Sequence, residues 1–179
     1  TNLLYTGVGK VNAALQLSAH LSRLQQNKQL PKQVLNLGSA GSHQFSLLEL
    51  VNCTHFIQQD MDATALGFAL GQTPFETHSV FASGEKIDYL PQAYLHSADQ
   101  FITDASKNLP VMDMEGYALA KVCSHFGVAF SCVKFISDNA NQHSAMTWQD
   151  RLEAGSQCLA AFLHTFLQAK NNPDQPRSN

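Results

Sequence analysis

The stretch PVMDMEGYALAKVCSHFGVAFSCVKFISD, residues 110–138, holds a strand, a helix and a second strand in succession. Pro110-Val111-Met112-Asp113 is a short apolar strand. Ala118, Leu119, Val122, Cys123 and Phe126 then recur on one face of a helix, which Gly127 stops. Phe130 to Ile136 follows as a nearly continuous apolar run with β-branched and aromatic content, the pattern of a strand buried on both faces. Buried strands on either side of a helix predict an α/β fold, with a twisted, mixed and largely parallel sheet flanked by helices.

The same alternation extends towards both ends. Leu3 to Thr6 reads as the end of a buried strand entering Gly7-Val8-Gly9, and Ala14, Leu17, Leu21 and Leu24 set a helix over 10–26. Val34 to Leu37 is a strand delivering the chain into Gly38-Ser39-Ala40-Gly41, and Leu50 to Ile57 is another. Residues 58–76 form a long polar loop, Ser79 to Ser83 a strand closed by Gly84, and a helix is expected near 93–105. A last helix starts at Thr147, where Thr147 and Asp150 have capping-box spacing, with Leu152, Leu159, Leu163 and Phe166 as its core stripe. One domain over 1–170 and a disordered tail over 171–179 are expected.

Composition narrows the class. Of 179 residues, 44% are hydrophobic and 14% charged, which excludes a disordered chain. A formal charge of −3 excludes a strongly basic nucleic-acid binder, so an anionic partner must be held by local geometry. No apolar run approaches the roughly 18 residues of a membrane span and no leader is evident, so a soluble chain is expected. Cys53, Cys123, Cys132 and Cys158 lie far apart without CxxC spacing, as small buried hydrophobes in a reducing compartment do.

Chemistry is expected at the strand ends, where open α/β sheets bind ligands. Three strands end in small-residue turns, at Gly7-Val8-Gly9, Gly38-Ser39-Ala40-Gly41 and Ser83-Gly84, and two end in acids, at Asp113-Met114-Glu115 and Ser137-Asp138. Several familiar sites are excluded. Gly7-Val8-Gly9-Lys10 lacks the GxxxxGK[ST] of a phosphate loop, and Asn12 stands where a dinucleotide fingerprint needs its third glycine. Asp60-Met61-Asp62 begins like a calcium loop but has Ala65 at the glycine position. The eight histidines form no HExxH, and no GxSxG elbow is present.

Taken in order, Thr6-Gly7-Val8-Gly9-Lys10-Val11-Asn12-Ala13-Ala14, Leu35-Asn36-Leu37-Gly38-Ser39-Ala40-Gly41, Phe81-Ala82-Ser83-Gly84, Met112-Asp113-Met114-Glu115-Gly116 and Ile136-Ser137-Asp138 resemble the successive signatures of the nucleoside phosphorylase/nucleosidase family. The match runs from about residue 5 to residue 168 and is closest to the methylthioadenosine/adenosylhomocysteine nucleosidase branch. The resemblance implies cleavage of a purine–ribose bond in a 5′-substituted adenosine-like nucleoside, with water as nucleophile and no cofactor or metal. It implies a homodimer, a cytoplasmic setting, a place in methionine salvage, and neither nucleic acid nor membrane as partner.

By position, the resemblance makes Asp138 the group that protonates or hydrogen-bonds the purine N7 and Ser39 the residue that orients it. Glu115 would hold the ribose hydroxyls and Met114 would pack on the sugar. Backbone around Ser83 to Ile87 and Val111 to Asp113 would flank the base. Trp148 falls near the 5′ substituent, and Leu66 and Pro74 fall where a neighbouring subunit closes the pocket. Phosphorylases of the family clamp phosphate with arginine, and Arg23, Arg151 and Arg177 all lie outside the strand-end motifs, which favours water. Two departures stand out. The family's first strand and its water-activating glutamate lie before the segment that opens this chain, and the connection from Pro74 to Ser79 is short. Futalosine hydrolysis, phosphorolysis and nucleoside binding without turnover are the alternative readings.

Overall fold

The computed structural model describes residues 2–82, 84–101, 108–139 and 144–171, with helix backbone alone at 144–150 and 171. Six strands form one sheet: β1 (Gln33–Gly41), β2 (Leu50–Gln58), β3 (Val80–Ala82), β4 (Gln92–Ser97), β5 (Val111–Asp113) and β6 (Ala129–Asp138). Their order is β3-β2-β4-β5-β1-β6, and β6 pairs with β2 as well. The extra pairing closes five strands into a ring and leaves β3 outside it. The longest ladder is parallel, from Gln33↔Ala129 to Gly41↔Asp138, and β2–β4 and β4–β5 are also parallel. The β1–β5, β2–β3 and β2–β6 pairings are antiparallel, so the sheet is mixed as expected.

Burial follows the apolar patterns that form the elements. Along β6, Phe130, Cys132, Val133, Phe135 and Ile136 are all essentially inaccessible, as a strand covered on both faces requires. Helix α1 (Lys10–Gln26) buries Ala13, Leu17 and Leu21 against α2 (Gly116–Phe126), which lies across the sheet. Helix α3 (Ser144–Asn171) covers β6 and β1. Its inward stripe runs through Gly155, Leu159, Phe162 and Phe166, while Leu152, expected in the stripe, is exposed. Gly155 lets the helix approach: a Cβ there would lie 2.7 Å from the Phe135 ring.

Three expectations are corrected. Residues 92–97 form β4 and not a helix, because Ala93, Leu95 and Ser97 are buried at alternate positions and both edges are hydrogen-bonded, to β2 and β5. Residues 102–107 of that expected helix lie outside the described residues. Leu3 to Thr6 are not a strand; Leu3 and Tyr5 point to solvent and Leu4 alone packs on the core. Helix α3 starts at Ser144, three residues before the expected cap. The tail over 172–179 lies outside the described residues.

Candidate active site

The last residue of β1 sets the site. Gly41 pairs with Met112 of β5 and with Asp138 of β6, after a bulge between Ala40 and Gly41. Two inter-strand spacings, about 10 Å, therefore separate the end of β5 from the end of β6. Asp138 is buried at 3% exposure. Ser137 Oγ lies 2.9 Å from Asp138 Oδ2 and 3.3 Å from the Ala40 carbonyl, and the Asp138 carbonyl accepts the Ser42 N–H at 3.0 Å. Ser39 stands on β1 in register with Phe135. A cleft of about 370 Å³, lined in part by Ser42, His43, Phe45 and Asn139, opens beside this corner.

At the end of β5 an ion pair is sealed inside the protein. Lys134 Nζ lies 2.8 Å from Asp113 Oδ2, with side chains 2% and 1% exposed. Such a pair persists only where its remaining hydrogen-bonding capacity is met. Asp113 Oδ1 accepts the Ser97 hydroxyl at 2.6 Å, and Oδ2 also accepts the Gly116 N–H at 2.8 Å. Ser97 Oγ in turn accepts the Tyr117 N–H at 2.9 Å, so the pair also satisfies the first turn of α2. Burial alone would lower the Lys134 pKa, but the Asp113 carboxylate, with Cys132 and Glu115, carries it above the ordinary lysine value. Across the ladder stands Gly38, where a Cβ would come within 3.2 Å of Nζ.

Glu115 sits two residues further on, at the cap of α2. Its Oε1 accepts the Gly9 N–H at 2.8 Å, which fastens the end of β5 to the start of α1. Burial raises its pKa above the ordinary glutamate value, against the opposing pull of Lys134, while Asp113 adds to the rise. Asp99 Oδ1 takes the next orphan donor of α1, the Lys10 N–H, at 2.7 Å. Lys10 Nζ reaches Asp60 Oδ1 at 2.5 Å and Asp99 Oδ2 at 3.4 Å, and Asp60 Oδ2 accepts the Asp99 N–H at 2.9 Å. Burial pushes the Asp60 pKa up, but these donors outweigh it and hold the carboxyl below its usual range.

Asp60 is the second residue of the loop 59–79, which carries a single 3₁₀ turn at Thr64–Leu66. Leu66 and Phe75 in it are 74% and 96% exposed, and Pro74 is half-buried. On the far side of β2, the segment 84–87 is pinned from below. Asn52, fully buried, accepts the Ile87 N–H at 2.8 Å and donates to the Glu85 and Cys132 carbonyls at 3.3 and 3.1 Å. Gly84 is held so closely that a Cβ would lie 2.6 Å from the Cys53 carbonyl oxygen. Ile87 packs with Val133 and Phe162, in a cluster apart from the acids.

A family model of the phosphorylase superfamily matches residues 2–168. The chain belongs to that superfamily. It is 30% identical over 188 residues to a 5′-methylthioadenosine/S-adenosylhomocysteine nucleosidase of Geobacillus thermodenitrificans, covering 92% of this chain and 78% of the relative. It is 32% identical over 192 residues to the protein of the same name from Psychromonas ingrahamii, at 94% and 81% coverage. Among solved structures, the Helicobacter pylori 5′-methylthioadenosine/S-adenosylhomocysteine nucleosidase with butyl-thio-DADMe-Immucillin-A superposes with a TM-score of 0.80 at 25% identity, covering 92% of this chain and 78% of that one. A futalosine hydrolase mutant of the same organism gives 0.81 at the same identity and coverage.

Within this superfamily fold, the residues singled out from the sequence fall into three groups. Asp113, Met114 and Glu115 share the end of β5, Ser39 lies on the neighbouring β1, and Asp138 lies on β6, one strand further. Leu66 and Pro74 lie in the loop that Lys10 fastens, and Ile87 lies under α3. Ser83 and the Trp148 side chain lie outside the described residues. Sequence reading passed over Lys134, Asn52, Lys10 and the contact of Arg151 with the Ser137 carbonyl at 3.3 Å. Lys134 did carry a signal: a lysine inside a doubly buried strand has no path to water and must meet a buried acid.

Proposed function

We propose that the chain is a nucleosidase that hydrolyses the N-ribosidic bond of a 5′-substituted adenosine of the methylthioadenosine or adenosylhomocysteine type. The observation that carries the reading is the junction at Gly41, which sets the buried Asp138 and the Asp113-Met114-Glu115 turn on either side of the end of β1. The names of the relatives support the substrate class.

In the reaction, the C1′–N9 bond breaks with its electron pair leaving on the base, a water oxygen bonds to C1′, and that water gives up one proton, so that in sum one proton passes from water to the base. The cationic sugar of the transition state calls for a neighbouring carboxylate, and the departing base calls for a proton. Asp138 is the donor to N7 in this reading, with Ser39 as its orienting neighbour. Glu115, fixed by the Gly9 N–H, accepts the ribose hydroxyls and lies beside the developing charge. Met114 packs on the sugar, and the Ser83–Ile87 and Val111–Asp113 backbones flank the base. Trp148, with Leu66 and Pro74 of a second subunit, closes the 5′ end.

Water is the nucleophile in this reading because none of Arg23, Arg151 and Arg177 stands in a strand-end motif of the sequence, although Arg151 reaches the Ser137 carbonyl from α3. A homodimer fits the exposed Val8, Val11 and Leu15 of the first turns and the exposed Leu66 of the loop. A cytoplasmic place in methionine salvage follows from the substrate class. The futalosine hydrolase neighbour supplies a second reading with the same chemistry and another 5′ group.

The test is free-base release from methylthioadenosine, adenosylhomocysteine, futalosine, inosine and uridine, each with and without phosphate. Adenine release independent of phosphate is the expected result. Turnover requiring phosphate, or uracil released in preference to purines, overturns it. In Asp138→Asn, release should fall by about a hundredfold or more while nucleoside binding is kept.

A further inference from the structure

The start of α1 is tied to the acids of the site by a set of contacts of which the reaction scheme uses only the Gly9–Glu115 hydrogen bond. Glu115 accepts the Gly9 N–H, the Lys10 N–H goes to Asp99, and the Lys10 ammonium bridges Asp99 and Asp60. Lys10 is only 12% exposed at its side chain although it carries a charge at a helix N-terminus, where cations are disfavoured. Gly9, at φ +92°, is in a conformation side chains resist, and a Cβ on it would approach Asp99 Oδ1 to 3.1 Å. Asp99 therefore packs directly against the residue whose N–H holds Glu115.

We propose that Lys10 is a positioning residue for Glu115: its ion pairs to Asp60 and Asp99 fix the Gly9 N–H on the Glu115 carboxylate and couple the loop 59–79 to the sugar end of the site. The proposal deepens the nucleosidase reading, on which it rests, by connecting Leu66 and Pro74, assigned there to the 5′ end of the partner subunit's site, with the carboxylate assigned to the ribose in this chain's own site. Closure or displacement of the loop at Asp60 is then felt at Glu115 through two ion pairs and one backbone donor.

The charged groups facing Glu115 are Lys134 of β6 and Asp113 of β5, with Lys10, Asp99 and Asp60 behind Gly9. They give the proposal a test by sign. The Gly9 N–H favours the ionised carboxylate, so loosening it raises the Glu115 pKa. In Asp99→Ala a through-space effect alone would lower that pKa, because a negative charge is removed, whereas loss of positioning raises it. The measurement is a titration of the Glu115 side-chain carboxyl by carbon-13 NMR in the full chain, without substrate. Lys10→Met and Asp99→Ala should both move the midpoint up by about half a pH unit or more, and Lys10→Arg should restore it. An unmoved midpoint in Lys10→Met, or a downward shift in Asp99→Ala, overturns the proposal, whether or not the wild type cleaves nucleosides.

Kinetics supply a second arm. If the wild type releases adenine, Lys10→Met should lower kcat/KM about tenfold, the acid limb of the profile should rise with the NMR midpoint, and Lys10→Arg should recover most of the loss. A wild type that releases no base from any nucleoside rejects the functional reading, while the titration still decides whether Lys10 positions Glu115. A kcat/KM for Lys10→Met equal to that of an active wild type overturns the coupling to the site.

Discussion

Lys134 holds the end of β5 from within, because its ammonium and Asp113 are joined where water does not reach. Removing one partner leaves the other charged and unsolvated, which typically costs about 3–5 kcal/mol. Lys134→Met should therefore lose about that much stability in urea unfolding. Adding Asp113→Asn should return part of it, since the uncompensated charge is removed, an amide oxygen in the Oδ2 place keeps the Gly116 N–H, and the amide NH2 in the Oδ1 place can donate to Ser97 Oγ. Equal losses in the single and double variants would show that the charge is not the reason for the pairing. Residues at this scale divide by how far their partners are in sequence. Glu115 and Asp138 were legible as acids at strand ends, but the contact from Gly9 to Glu115 spans 106 positions and no local pattern encodes it.

At the scale of elements, α2 begins where the chain has no room for a methyl group. A Cβ on Gly116 would lie 2.2 Å from Leu95 Cδ2 and 3.0 Å from Asp113 Oδ2. Alanine normally stabilises a helix relative to glycine by about 0.5–1 kcal/mol. Here Gly116→Ala should destabilise by about 1–3 kcal/mol through overpacking, readable as a lower denaturation midpoint with an unchanged slope. The same element shows what local patterns reveal. The spacing of α1, α2 and the apolar run of β6 fixed those elements, because their periodicity is expressed within their own residues. The strand β4 was hidden, since Gln92-Ala93-Tyr94-Leu95-His96-Ser97 is mildly apolar and alanine-bearing, and its strand character comes from β2 and β5 on either side. Leu3 to Thr6 erred in the opposite sense, apolar enough for a strand but with no ladder beside it.

For the whole molecule, acid response follows from a histidine of β4 that stands in register with Met112 of β5. His96, half-buried with Nδ1 2.6 Å from Gln59 Oε1, is pushed down by burial to about 4 from an ordinary 6.5. A lowered histidine pKa means the unfolded chain takes up the proton first, so its contribution is complete above about pH 6.5 and is lost as pH falls towards 4. Glu115 opposes this trend, because its raised pKa makes the folded form the better proton acceptor, and Asp60, being lowered, acts only below 3.8. The thermal midpoint should therefore drop between pH 6.5 and 4.5, and His96→Gln should flatten that drop; an identical slope in the variant would remove His96 as its cause. Light scattering after gel filtration should give a mass near twice that of the 19.6 kDa chain, and a monomer would refute the dimer.

The ring of strands has a consequence for biosynthesis. Because β6 joins both β1 and β2, with side-chain contacts spanning 96 and 80 positions, the sheet cannot close until Asp138 has left the ribosome. Until then β1 and β2 present open, apolar edges, and the nascent chain depends on a holding chaperone or on fast completion to avoid pairing with its neighbours.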